Sequence, residues 1–86
     1  MMYELRITEP VEKWIDKHLN RTLVKRLDNR IQKLAIGPDF YGKPLRGPLT
    51  GIWEIRFEKR YRILYKIDYQ NKVVTIIGIK HKDEMS

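Results

Sequence analysis

The side chains in this sequence best equipped for chemistry are cations. Arg56 and Arg62 sit in "WEIRF" and "YRILY", two runs whose period-two alternation puts both guanidinium groups opposite Trp53, Ile55, Phe57, Tyr61, Ile63 and Tyr65. Lys66 extends that polar face, while Lys43 and Arg46 lie in "KPLRGPLTG", the segment leading into it. Arginines gathered on one sheet face repel one another, a cost that a bound polyanion relieves. His81 and Lys82 follow the last apolar run in "GIKHKDE", and histidine is the side chain most ready to move a proton near neutral pH. Cleavage of RNA by its own 2′-hydroxyl needs cations around the phosphorane, one base and one acid, which arginines and a histidine could supply. A plainer reading stays open beside this one. Glu54, Glu58 and Asp68 could pair with the cations across strands, and His81 could simply be exposed.

Other chemistries lack their residues. There is no Gly-rich phosphate loop, nucleophile elbow or HExxH, and no carboxylate pair in an apolar setting. The chain has no cysteine, and its two histidines lack a ligand cluster, so neither a metal nor another cofactor is expected. Eighteen Lys and Arg against eleven Asp and Glu give a formal charge of +7, the balance of a protein that meets phosphates or an acidic partner. No apolar run is long enough to cross a bilayer, and "MMYELRIT" has no signal-peptide centre, which predicts a cytoplasmic protein without a membrane partner.

The elements that must position these cations can be read from periodicity. Tyr3, Leu5 and Ile7 alternate as one face of a strand. Thr8 and Pro10 then suit a helix start, and Val11, Trp14, Ile15 and Leu19 form its apolar side. A second helix starts at Asn20 or Thr22, carries Leu23, Leu27, Ile31 and Leu34 as its stripe, and ends at Gly37-Pro38. Arg26, Arg30 and Lys33 share its opposite side, as on any solvated helix face. Residues 39–51 read as a loop. Ile52 to Glu58, Arg60 to Asp68 and Lys72 to Lys80 read as three strands joined by short turns. The order β-α-α-β-β-β predicts one α+β domain over residues 1–86, with two N-terminal helices packed on a small curved antiparallel sheet.

The stretch "GKPLRGPLTGIWEIRFEKRYRILYKID", followed by "VVTIIGIKHKDE", resembles the C-terminal half of RelE/ParE-superfamily toxins of type II toxin-antitoxin systems. Those toxins carry Leu-Lys/Arg-Gly, Trp-Arg-x-Arg, Tyr-Arg-x-x-Tyr and a late His-Arg in that order. The opening strand and "VEKWIDKHL" also fit, so the likeness covers nearly the whole chain. It implies a RelE-like fold and a metal-independent mRNA interferase, an endoribonuclease that cuts mRNA in the ribosomal A site. By position, Arg62 resembles the arginine at the scissile phosphate. Arg56 and Arg46 resemble residues that hold the RNA backbone, and His81 resembles a general acid or base. Lys43, Lys66 and Lys82 would add contacts to RNA, and Lys82 stands where Arg is usual.

The pattern departs from the family at two points. No Tyr ends the motif in "KDEMS", and Glu54 occupies a position that is basic in some relatives, where a carboxylate could act as base. The missing Tyr makes a second reading more credible, a ParE-like inhibitor of DNA gyrase without catalysis. A third is a catalytically inactive member that only joins its antitoxin on operator DNA. Each reading implies a cognate RelB-like antitoxin as partner, and leaves open whether the free toxin forms a homodimer.

Overall fold

The computed structural model describes residues 2–85. Strand β1 (Glu4–Ile7) turns Leu5 and Ile7 toward the core, as the alternation requires. Helix α1 (Glu9–His18) has Pro10 in its first turn, with Glu9 and Glu12 beside the positive end of the helix dipole. Thr8 precedes it without a side-chain cap, and its carbonyl accepts the amides of Val11 and Glu12 instead. Helix α2 (Arg21–Ile36) is capped by Asn20, whose Oδ1 accepts the Leu23 amide at 2.9 Å, and it stops at Gly37. Among the described residues, no helix is long and apolar enough to cross a membrane.

The segment expected to be a loop holds short elements: helix α3 (Pro38–Tyr41), strand β2 (Lys43–Pro44) and a 3₁₀ turn at Gly47–Leu49. Tertiary contacts fix them. The Tyr65 hydroxyl donates to the Pro38 carbonyl at 2.6 Å, and the Gly37 carbonyl accepts the amides of Phe40 and Tyr41. Gly42 passes so close to the Tyr65 hydroxyl and the Glu54 carbonyl that any Cβ there would overlap them. Burial pushes the Tyr65 hydroxyl well above the usual tyrosine range; the nearby Asp39 and Tyr69 add to this, and Arg30 opposes it.

Strands β3 (Trp53–Phe57), β4 (Tyr61–Asp68) and β5 (Val73–His81) form antiparallel hairpins, the first turned by Glu58 and Lys59 at φ 54° and 61°. The sheet order is β1-β5-β4-β3-β2, and β1 runs parallel to β5, so the sheet is mixed where the sequence suggested an antiparallel one. Short connections dictate antiparallel pairing only between sequence neighbours, and β1 pairs with a strand far along the chain. Val11, Leu27, Ile31 and Leu34 from the helices meet Ile55, Phe57, Ile63, Val74 and Ile76 from the sheet in one core.

One irregularity decides which side chains share a face. Leu64 pairs with Gly78 but Tyr65 pairs with Ile76, so Ile77 is an extra residue that bulges out of β5. Beyond the bulge the alternation is shifted by one. Ile79 and His81 therefore lie opposite the helix-facing Ile63 and Tyr61, while Lys80 lies opposite Arg62 on the open face.

Candidate nucleic-acid interface

Strand β2 pairs with Trp53 and Glu54, so among the described residues the outer edge of β3 from Ile55 to Phe57 has no strand partner. Helix α2 runs along this edge. Arg30 Nε donates to the Arg56 carbonyl at 2.9 Å, and Arg26 Nη1 donates to Glu58 Oε1 at 2.9 Å. Between helix and hairpin opens a cleft of about 800 Å³. Arg26, Asn29, Arg30 and Lys33 form its helical wall; Arg56, the Phe57–Lys59 turn, Tyr61 and Arg62 form the other, with Lys82 at the rim. Seven of these residues are Lys or Arg and one, Glu58, is a carboxylate. A concave surface lined by one sign of charge focuses its field and draws in the opposite charge.

On the open face, Arg62 stands between two cations in register, Arg56 on β3 and Lys80 on β5. Like charges directly opposite each other destabilise a sheet. One carboxylate offsets them: Arg62 Nη1 donates to Glu54 Oε1 at 3.1 Å, with the two side chains 32% and 11% exposed. The other two carboxylates singled out in the sequence are engaged elsewhere. Glu58 pairs with Arg26 on α2, and the Asp68 carboxylate accepts the side-chain and backbone N–H groups of Asn71, which hold it below the usual carboxylate range.

Of the residues singled out in the sequence, Arg56, Arg62 and Lys82 line the cleft, and Glu54 is bonded to Arg62. Lys43 lies opposite Glu54 at the far end of β3. Lys66 is exposed on the Arg62 face, opposite Thr75 and beyond the last β3 pair. Arg46 is exposed at the start of the 3₁₀ turn, outside the cleft. His81 is on the other side of the sheet, edge-on to Tyr61 with ring centroids 5.5 Å apart. Its Nδ1 is 3.3 Å from the Asp83 amide and 3.5 Å from Asp83 Oδ2, contacts that call for an acceptor and a donor respectively. The spacing of four and three put Arg26, Arg30 and Lys33 on one stripe in the sequence, read there as a solvated helix face; the structure turns that stripe into a wall of the cleft. Lys80 was concealed by the bulge.

The structure is thus a small mixed sheet backed by a helical hairpin, with an arginine-rich cleft along one edge. Residues 5–85 match the model of the ParE toxin of the type II toxin-antitoxin system parDE. The chain is 31% identical to toxin RelG of Mycobacterium tuberculosis over 85 residues, 99% of this chain and 97% of that one. It is 26% identical to the putative toxin RelE4 of Methanocaldococcus jannaschii, across 98% of this chain and 90% of that one. Among solved structures, the M. tuberculosis toxin-antitoxin complex RelBE2 superposes with a TM-score of 0.82 at 30% identity, covering 95% of this chain and all of that one (100%). A free mutant of the E. coli toxin RelE superposes at 0.75 and 27% identity, covering 100% and 88%. The chain belongs to the RelE/ParE superfamily of type II toxins.

Proposed function

We propose that this toxin is a ribosome-dependent endoribonuclease that cleaves mRNA in the A site in the cytoplasm, using the 2′-hydroxyl of its substrate as nucleophile. The observation that carries this reading is the placement of Arg62 between Arg56 and Lys80, with its guanidinium bonded to Glu54. In the reaction the 2′-oxygen bonds to phosphorus, its proton passes to a base, and the bond from phosphorus to the 5′-oxygen breaks as that oxygen gains a proton. Arg62 stabilises the charge that builds on the phosphorane, and Arg56 and Lys82 hold the flanking backbone. Glu54, already beside Arg62, is better placed as base than His81, which faces away across the strand. As acid, His81 would have to swing past Tyr61.

The M. tuberculosis relative was solved as a complex with its antitoxin, and a RelE-RelB complex from Pyrococcus horikoshii shares the fold at a TM-score of 0.74. By analogy, the partner of this chain is a RelB-like antitoxin that restrains the cationic cleft.

Primer extension on an mRNA in a purified translation system tests the activity. Ribosome-dependent cuts should occur with the wild type, vanish with Arg62→Ala and fall strongly with Glu54→Gln. The position of His81 outside the cleft favours one competing reading, a toxin that inhibits gyrase without catalysis. Intact mRNA together with lost supercoiling would establish that reading instead.

A further inference from the structure

The least satisfied apolar side chain among those with large exposed surfaces is Phe40, 79% exposed on a backbone that cannot easily turn it inward. Its amide and that of Tyr41 are both held by the Gly37 carbonyl, and the same short helix is anchored by the Tyr65 hydroxyl at Pro38. The Phe40 and Tyr41 rings meet edge to face, centroids 5.0 Å apart and planes at 86°, which leaves a ring face of Phe40 open. The pair is not isolated from the cleft. Lys33 lines the cleft and also sets its amine 5.6 Å from the centre of the Tyr41 ring.

The cations on α2 lead to these rings in order. Arg26, Arg30 and Lys33 span about 10 Å along the helix at 1.5 Å per residue, and the aromatic turn begins where α2 ends. A row of cations that tracks a backbone and ends on an open aromatic ring is the arrangement that binds single-stranded nucleic acid. Phosphates take the charges, and a base stacks on the ring whatever its identity. A duplex would keep its bases stacked inside and gain nothing from Phe40.

We propose that Phe40 and Tyr41 form a stacking platform for an unpaired base of single-stranded RNA whose backbone runs along Arg26, Arg30 and Lys33. This rests on the RNA-binding reading of the cleft and adds to it the strandedness of the ligand and a subsite outside the reacting centre. The platform is prebuilt, so little ordering accompanies occupancy.

The test is fluorescence anisotropy of labelled single-stranded RNA on the full chain and its variants. Phe40→Ala and Phe40→Leu should each weaken binding about tenfold, the loss of one stacked base, and Phe40→Trp should restore it. An otherwise identical abasic oligomer should bind wild type and Phe40→Ala alike. Lys33→Ala should reduce the salt dependence of binding, whereas Phe40→Ala should leave it unchanged. Full affinity in Phe40→Leu, or an equal loss with the abasic oligomer, would overturn the platform while the cleft still binds RNA. Loss of antitoxin binding with RNA affinity intact would overturn it too and make the rings a protein contact. A wild-type chain that binds no RNA would overturn the cleft reading and the platform together.

Discussion

Along β4, Ile63 and Tyr65 are 1% and 0% exposed, while Arg62 between them and Tyr61 faces two cations and a single carboxylate. The two sides of one strand thus obey different rules. The covered side is complementary in shape and hydrogen bonding, down to the Tyr65 hydroxyl that meets the Pro38 carbonyl. On the open side electrostatic complementarity is left incomplete, and it is there that the proposed RNA contact lies. The contrast teaches that substitutions on one side should register in stability and on the other in activity, with little crossover.

The largest break comes from the covered side. Leu34→Ala should cost about 2–5 kcal/mol, because the residue is fully buried beneath the sheet. Denaturant unfolding would measure it. Next is Arg62→Ala, for which mRNA cleavage should fall about 10²- to 10³-fold with the unfolding midpoint nearly unchanged. A large loss of stability there would erase the distinction between the two sides. Tyr65→Phe should cost about 1–3 kcal/mol by leaving the Pro38 carbonyl without its buried donor.

The same tyrosine predicts a pH dependence. Burial raises its pKa in the folded protein, so above the ordinary tyrosine value of 10.0 the unfolded chain loses a proton that the folded chain keeps. Its contribution to stability is therefore complete below pH 10 and declines as pH rises further. Urea titrations across that range should show the decline in the wild type and a shallower one in Tyr65→Phe; Tyr69, raised in the same direction, supplies the remainder. The smallest effect is expected of Arg56→Gln, which relieves repulsion with Arg62 and should raise stability by about 0.5 kcal/mol while weakening RNA binding.

Much of the fold was legible because its signals are local. The alternation from Trp53 to Phe57, the stripe from Leu23 to Leu34 and the Asn20 cap each specify their element within a few residues. The site was legible as far as Arg56 and Arg62 depend on that alternation. It ceased to be legible in "VVTIIGIK", where apolar residues stand at both parities and nothing marks the bulge at Ile77. That slip takes His81 off the open face and puts Lys80 there. Helix α3 and strand β2 were hidden for a different reason, since four and two residues carry no period and their conformation is set by Tyr65, more than twenty positions later.

The parallel pairing of β1 with β5 also has a temporal meaning. Every other ladder of the sheet joins strands close in the chain, but this one must wait until β5 has been made. Lys80 belongs to that late strand and Lys82 follows it directly. A nascent chain still being translated has Arg62 without its β5 neighbour and a cleft without its rim. The cationic cluster is thus assembled only once β5 has been made and has paired with β4.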